Sequence, residues 1–308
     1  MKFKTSTFPA QSFNFTGYNK TMASLTVTLI QSNLVWEDKE ANLRMFEEKI
    51  RSIKERTEMV ILPEMFTTGF SMQPKLLAEK MEGSTMQWMM RMAKEFRIII
   101  TGSLIIEEGG HYYNRLIWML PVGQYAHYDK RHLFGFAGED EKYSIGNKRL
   151  IASVNGLKLN LQVCYDLRFP VWASQQSFVP PLLEKKKVSN FDAFREPEHP
   201  EYDILVYVAN WPEKRNHAWK TLLQARAIEN QCYVIGLNRV GNDGNDIYHS
   251  GDSMIADPLG EVVYQKSHDE DIFTITLHKE KVNEIRKKFP FWKDAEHFVI
   301  VPKDHLGE

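Results

Sequence analysis

The sequence is poor in cysteine and has no long hydrophobic run. Of its 308 residues only Cys164 and Cys232 are cysteines, too few for a disulfide framework, so we expect a reducing compartment, the cytoplasm. No apolar stretch approaches the roughly 18 residues needed to span a bilayer. The first residues, MKFKTSTFPAQSFNFTGYNK, have two early lysines without a continuous apolar stretch behind them, so we expect no secretory signal here. The sequence therefore predicts a soluble protein without a membrane partner.

No charge of one sign dominates the chain. Lysine and arginine number 39 against 40 aspartates and glutamates. This balance lacks the electrostatic footprint that binding to nucleic acid or to an anionic membrane requires, so we expect neither partner. Hydrophobic residues make up 43% of the chain, which is enough for a large core.

The periodicity of the chain indicates a layered α/β domain. Residues 1–23 are polar and aperiodic, so we predict a loosely ordered N-terminal extension, with Met22 as an alternative natural start. From SLTVTLIQS onward, strands alternate with helices over residues 24–308, which indicates a single α/β domain. The two halves share a strand–helix–strand rhythm. This favours a four-layer α-β-β-α sandwich, in which two stacked mixed sheets have helices outside.

One segment differs from its surroundings. Residues 176–202 contain two adjacent prolines, a lysine triplet and no sustained period. Long segments of this kind are usually functional or disordered, and we expect a mobile surface insertion.

Several chemically capable side chains have a structural interpretation. The stretch GSTMQWMMRMAKEF predicts a helix capped by Ser84 or Thr85, with its methionines and tryptophan in the core. Cys232 opens the apolar run CYVIGLN and is assigned to the core. The histidines show no ligand spacing, so we expect no metal site; they include His111, His127, His132, His217 and His249.

Three reactive residues each close a predicted strand. Glu64 ends MVILPE, Lys130 ends GQYAHYDK and Cys164 ends LKLNLQVC. Reacting groups in α/β sheets gather at the carboxyl ends of strands. A thiol, a carboxylate that can take its proton and an ammonium that can stabilise an oxyanion are together the groups needed for acyl transfer through a thioester.

The ordered set ILPEMF, YDKRHLF, GED, CYDLRFP, ANWP and RAIEN resembles the nitrilase, or carbon–nitrogen hydrolase, superfamily. The similarity covers about residues 24–175 and 203–300. Within the superfamily the chain is most similar to the ω-amidase branch, which acts on 2-oxoglutaramate, on the stretches HLFGFAGEDEKYSIGN, CYDLRFPVW and YVANWP.

The resemblance implies roles for the reactive residues. It makes Glu64 the general base, Lys130 the oxyanion-stabilising lysine and Cys164 the nucleophile, with the backbone N–H of Tyr165 completing the oxyanion hole. A second glutamate is expected seven residues before a glycine. Counting back from Gly146 gives Glu139, and Glu141 is the competing candidate. The family chemistry implies no metal and no cofactor.

The sequence motifs leave several candidates for the residues that bind the substrate. Arg168 is four residues from Cys164 and suits a substrate carboxylate, with an internal ion pair to Asp166 as the equal alternative. Further candidate pocket walls, each of which could instead be ordinary core, are Tyr113, Asn114, Phe136 and Trp211.

The leading functional hypothesis is an amidase that hydrolyses the ω-amide of 2-oxo dicarboxylic acid monoamides, 2-oxoglutaramate and 2-oxosuccinamate, to acid and ammonia. Carbamoylase, nitrilase or another small-amide hydrolase of the same superfamily remains open, because all share the thioester step. A non-catalytic binding protein on this fold would need a broken triad. The resemblance also implies a homodimer.

Overall fold

The structure is a computed structural model that describes residues 23–175, 177–178, 200–296 and 298–300. Its strands, in chain order, are β1 (Ser24–Gln31), β2 (Met59–Ile61), β3 (Ile99–Glu108), β4 (His111–Met119), β5 (Tyr125–Asp129), β6 (Leu150–Val154), β7 (Leu157–Val163), β8 (Ser177–Phe178), β9 (Ile204–Ala209), β10 (Tyr233–Asn238), β11 (Val240–Asn242), β12 (Tyr248–Ala256), β13 (Val262–Ser267), β14 (Asp271–His278) and β15 (Phe298–Val299). Its α-helices are α1 (Lys39–Ser52), α2 (Pro74–Leu77), α3 (Ser84–Phe96), α4 (Glu139–Lys142), α5 (Pro170–Ala173), α6 (Asn216–Asn230) and α7 (Lys279–Lys288).

Two mixed sheets form the centre of the domain. The first has the strand order β14-β1-β2-β3-β4-β5, in which β1, β2 and β3 run parallel and the others antiparallel. The second has the order β11-β12-β10-β9-β7-β6, with β13 paired to β12, and its parallel strands are β7, β9 and β10. The short strands β8 and β15 pair with each other.

The hydrophobic core lies in three layers that explain this architecture. Between the sheets, Val27 and Leu29 of β1 belong to the same buried cluster as Leu159 and Leu161 of β7. On the outer face of the first sheet, α1 and α3 pack through residues such as Phe46. The second sheet is covered by α6, whose Trp219 and Leu223 lie against Gly236, where a Cβ would be 2.4 Å from Leu223. The predicted α-β-β-α sandwich is therefore confirmed.

Two local predictions were wrong. The helix α3 is not capped by Ser84 or Thr85, because its N-cap is Gly83 and the carboxylate of Glu79 accepts from both Ser84 Oγ (2.8 Å) and the Thr85 N–H (3.4 Å). The strand predicted up to Glu64 ends at Ile61. Pro63 has no N–H to donate to a ladder, so the chain leaves the sheet before the glutamate.

The predicted extension and insertion fall almost wholly outside the described residues. Residues 1–22, 176 and 179–199 are not described. At the far end of the insertion, Tyr202 is fully buried and its hydroxyl donates to the carbonyl of Ala173, so residue 202 belongs to the core.

In the part of the chain that the structure describes, none of the helices has the length and apolar character needed to cross a membrane.

Candidate active site

Cys164 lies in a strained turn at the carboxyl end of β7. It begins a 3₁₀ turn over Cys164–Arg168 and has a φ of 46°, in the left-handed region that non-glycine residues rarely adopt. Such a conformation costs about 1–3 kcal/mol and persists only where the surroundings impose it. Here Asp166 imposes it, because its Oδ2 accepts from the Val163 N–H at 3.1 Å. The turn places the thiol next to Glu64 and Lys130.

Asp166 also joins this turn to the segment that carries Lys130. Its carboxylate accepts from the Tyr128 hydroxyl at 2.7 Å, and from the His132 N–H and Nδ1 at 2.9 and 2.8 Å. These contacts fix Nδ1 of His132 as the protonated nitrogen and leave Asp166 without a free lone pair for Arg168. The ion pair between Arg168 and Asp166, considered from the sequence, is absent among the described contacts.

Lys130 is fully buried and bridges two carboxylates. Its Nζ lies 3.0 Å from Oε1 of Glu64, and 3.0 and 2.9 Å from the two oxygens of Glu139. Its backbone N–H donates to the Asn114 carbonyl at 3.0 Å, and its carbonyl accepts from the Gly146 N–H at 2.9 Å. Main-chain hydrogen bonds therefore hold the backbone of Lys130, and two carboxylates hold its ammonium.

The Glu64 carboxylate accepts hydrogen bonds from residues of both sheets. Asn114 Nδ2 donates to its Oε1 at 2.7 Å, and the Asn210 N–H donates to its Oε2 at 2.8 Å. Asn210 Nδ2 also donates to the Glu64 carbonyl at 2.6 Å. The carboxylate is fully buried, so these donors replace water as its hydrogen-bond partners.

Burial and charge set the protonation states of this cluster. Burial raises the pKa of the Cys164 thiol well above its usual range, and the carboxylate of Glu64 raises it further while Lys130 opposes it. Burial works to lower the pKa of Lys130, but the charges of Glu139 and Glu64 outweigh it, so the net direction is upward. The resting site therefore holds a neutral thiol beside a charged ammonium, and the thiol becomes nucleophilic only as its proton leaves.

The second glutamate in the cluster is Glu139. It is the first residue of α4, it is fully buried, and its Oε2 accepts from the Phe134 N–H at 2.6 Å. The side chain of Glu141 is 74% exposed and lies near Lys142 instead. Burial raises the pKa of Glu139, with Lys130 opposing the shift. Of the two candidates left open by the sequence, the structure brings only Glu139 to Lys130.

The remaining substrate-binding candidates divide into two groups. Trp211 is buried, with the Arg168 guanidinium 5.1 Å from its ring centroid, and the ring of Tyr165 packs on Phe134 at 4.9 Å. Asn114 lies in the site, but as a donor to Glu64 and Glu139 and not as a pocket wall.

Two candidates do not fit a pocket wall. Phe136 is 89% exposed. Tyr113 lies on the opposite face of β4 from Asn114, where its ring packs against His111 and Arg115. Neighbouring residues of a strand point to opposite faces, so Tyr113 and Asn114 could not both face the site.

Two residues in or near the cluster carry no reactive group that the sequence pattern singles out. Asn210 ends a predicted strand and donates to Glu64, and Arg215 lies over Phe134. Arg215 ends a 3₁₀ turn over Glu213–Arg215, directly after the Asn210–Pro212 stretch, and its guanidinium lies 5.1 Å from the ring centroid of Phe134. The rule that placed the other reactive residues at strand ends applies equally here, because β9 ends at Ala209.

The other predicted structural residues lie away from this cluster. Cys232 is fully buried, as predicted. Within residues 23–175, 200–296 and the short described pieces beside them, no group of three or more His, Cys, Asp or Glu side chains is placed to hold a metal ion.

Comparison with known families agrees with this geometry. The family model described as carbon-nitrogen hydrolase matches residues 26–174 and 198–287. The match includes all the residues of the cluster and leaves out most of residues 176–202.

The chain is also similar to curated amidases and to a solved structure of the same superfamily. The chain is 38% identical over 278 residues to omega-amidase YafV of Escherichia coli (strain K12), covering 90% of this chain and 99% of that protein. It is 28% identical to the 2-oxoglutaramate amidase of Bacillus subtilis (strain 168), over 87% of this chain and 96% of that one. A CN-hydrolase superfamily protein from Xanthomonas campestris, solved with an arsenic adduct in its active site, superposes with a TM-score of 0.83 at 38% identity, covering 91% of this chain and all of that chain.

Proposed function

The chain belongs to the carbon–nitrogen hydrolase family and is a hydrolase of carbon–nitrogen bonds other than peptide bonds, and from this premise we propose that it is an ω-amidase. Its substrates are the ω-amides of 2-oxo dicarboxylic acid monoamides, 2-oxoglutaramate and 2-oxosuccinamate, which it converts to the acid and ammonia. The observation that carries the proposal is the buried cluster of Cys164, Lys130, Glu64 and Glu139, complete in a chain that covers 99% of an omega-amidase at 38% identity.

The first half of the reaction forms a thioester. Glu64 takes the proton of the Cys164 thiol while the sulfur attacks the amide carbonyl carbon, because the thiol is neutral at rest. The oxygen becomes an oxyanion, which the Lys130 ammonium and the Tyr165 N–H stabilise. Glu64 then gives its proton to the nitrogen as the carbon–nitrogen bond breaks. Ammonia leaves, and the acyl group stays on sulfur.

The second half uses the same groups with water. Glu64 takes a proton from water as its oxygen attacks the thioester carbonyl, and Lys130 again faces the developing negative charge. The carbon–sulfur bond breaks, and Glu64 returns the proton to the sulfur. Glu139 takes no proton in either half. Its role is to hold Lys130 in position and charged, through the two contacts of 2.9 and 3.0 Å.

The test is ammonia release from 2-oxoglutaramate by the wild type and by Cys164→Ala, with glutamine as the control substrate. Turnover of the oxo-amide by the wild type only, with little turnover of glutamine, is the expected result. Activity that survives in Cys164→Ala would rule out the thioester mechanism. A wild type that turns over other small amides but not 2-oxoglutaramate would favour a carbamoylase, a nitrilase or another amidase of the same superfamily.

The assembly and the compartment are part of the proposal. A homodimer would bury the outer face of the second sheet, where Val171 of α5 and Ile228 of α6 are both exposed. Sedimentation velocity tests this directly, and a monomer at micromolar concentration would contradict it. The cytoplasm is proposed because both cysteines are unpaired, and the thioester chemistry needs Cys164 as a reduced thiol.

A further inference from the structure

Two guanidinium groups near Cys164 have no anionic partner in the part of the chain that the structure describes. The Arg168 guanidinium lies over the ring of Trp211 and that of Arg215 over the ring of Phe134, and neither lies within 4.0 Å of a described carboxylate. Two buried arginines of the domain are paired, by contrast: Arg115 contacts Asp129 at 2.6 Å, and Arg286 contacts Asp203 at 3.3 Å. Two unpaired cations beside a nucleophile form a surface that attracts an anion.

Trp211 places both arginines. Its ring lies under Arg168, and its indole N–H donates to the Arg215 carbonyl at 2.8 Å. Trp211 is itself locked by Asn238, which accepts from its backbone N–H at 2.7 Å and donates to its carbonyl at 2.9 Å. Trp211 therefore supports the Arg168 guanidinium with its ring and the Arg215 backbone with its indole N–H, and this limits the entropy lost when the arginines bind a ligand.

Aromatic contacts connect Arg215 to the turn that holds the nucleophile. Its guanidinium stacks over the ring of Phe134, which packs on the ring of Tyr165, the residue next to Cys164. Burial lowers the pKa of Arg215, and the nearby charge of Arg168 lowers it further, whereas Cys164 has the opposite effect. Arg215 is thus close enough to both Arg168 and the nucleophile for all three to interact electrostatically.

We propose that Arg215, together with Arg168, is a specificity-determining residue that binds the α-carboxylate and 2-oxo group of the substrate and rejects an α-ammonium. The inference rests on the proposed function and extends it to the choice between 2-oxo and 2-amino acids. A guanidinium fork donates to a carboxylate through two parallel hydrogen bonds, which suits Arg168 and Arg215 as a pair. Glutamine has the same side-chain amide and carboxylate, but its α-ammonium would lie against two cations. The 2-oxo acid has a carbonyl oxygen in that place, which accepts hydrogen bonds.

The experiment compares Arg215→Met with the wild type on four amides of similar length. These are 2-oxoglutaramate, glutaramate, glutamine and the uncharged butyramide. A hydrogen bond to a charged group contributes about 1.5–3 kcal/mol, so kcat/KM for the two anionic amides should fall by about 10–100-fold. The fall for butyramide should be at least 10-fold smaller. The ratio of kcat/KM for 2-oxoglutaramate to kcat/KM for glutamine should also become smaller. Arg215→Lys should keep most of that preference, because it keeps the charge.

Arg51→Met is the matched control, since Arg51 also stacks over a ring, Phe96 at 5.2 Å, but on the outer helix α1. It should leave all four kcat/KM values within about twofold. Equal losses on all four amides in Arg215→Met would make Arg215 a structural residue and overturn the inference. So would an Arg215→Met enzyme that keeps the wild-type preference for 2-oxoglutaramate over butyramide and glutamine. A wild type with no preference for the anionic amides would overturn the proposed function as well, and that result is visible without any Arg215 variant.

Discussion

Asn210 and Glu64 join the two sheets at the site. Glu64 follows β2 of the first sheet and Asn210 follows β9 of the second. Three hydrogen bonds connect them: Asn210 N–H to Glu64 Oε2 at 2.8 Å, and Asn210 Nδ2 to the Glu64 carbonyl at 2.6 Å and to Oε2 at 3.5 Å. Apolar packing also holds the sheets together, and other polar contacts cross between them, such as Ser253 Oγ of β12 to Gln31 Oε1 of β1 at 2.6 Å. The orientation of the proposed base therefore depends on a polar contact from the opposite sheet.

Replacing Asn210 should lower the rate of the chemical step. Asn210→Ala removes the side-chain donor and leaves the Glu64 carbonyl without this partner, so we expect kcat to fall about 10–100-fold. KM should change by less than about threefold, because Asn210 acts through Glu64. Steady-state kinetics on 2-oxoglutaramate measures both. Asn155→Gly is the matched control, since Asn155 donates to Glu58 at 2.8 Å away from the cluster and has a φ of 50° that glycine tolerates. A raised KM with unchanged kcat would contradict the positioning role.

Removing the charge of Lys130 should affect both rate and stability. Lys130→Met leaves Glu64 and Glu139 buried without a cation, and breaking a buried pair in this way costs about 3–5 kcal/mol of unfolding free energy. Loss of an oxyanion donor lowers the rate by about 10²–10³. The double variant Lys130→Met/Glu139→Gln removes one of the stranded charges, so urea unfolding should recover part of the stability while the activity stays lost. More than a tenth of wild-type activity in Lys130→Met would argue against this role.

Gly146 is expected to tolerate no side chain. A Cβ there would lie 2.0 Å from the Asp129 carbonyl oxygen, and the Gly146 N–H holds the Lys130 carbonyl at 2.9 Å. Gly146→Ala must push the two segments apart, so we expect lower activity together with a lower midpoint of thermal unfolding. Gly109→Asn is the control, because Gly109 has a φ of +62° and nothing within 4 Å of a Cβ. Similar melting temperatures for the two variants would show that the contact is easily relieved.

The sequence predicts the layers and the central cluster for a physical reason. Strands buried on both faces and strand-end reactive residues are local patterns, and parallel strands bring their carboxyl ends to one edge. The choice between Glu139 and Glu141 is not local, because it depends on how the short helix α4 turns toward Lys130. The position of Arg215 is not local either, since its contacts reach the turn of Cys164 through Phe134 and Tyr165 of other segments.

His249 should make the stability of the protein depend on pH. It is buried with its Nδ1 2.9 Å from the Ile247 carbonyl, and burial, with Arg239 nearby, lowers its pKa to about 4, while Asp243 opposes the shift. The unfolded chain, with a pKa near 6.5, binds more protons than the folded protein between these values, so stability falls as the pH drops from about 6.5 to about 4. The loss is on the order of 3 kcal/mol. His249→Asn keeps a donor near Nδ1 but cannot titrate. Urea unfolding of both proteins across this range should therefore show a shallower decline in the variant, and equal declines would mean that other groups control the acid sensitivity.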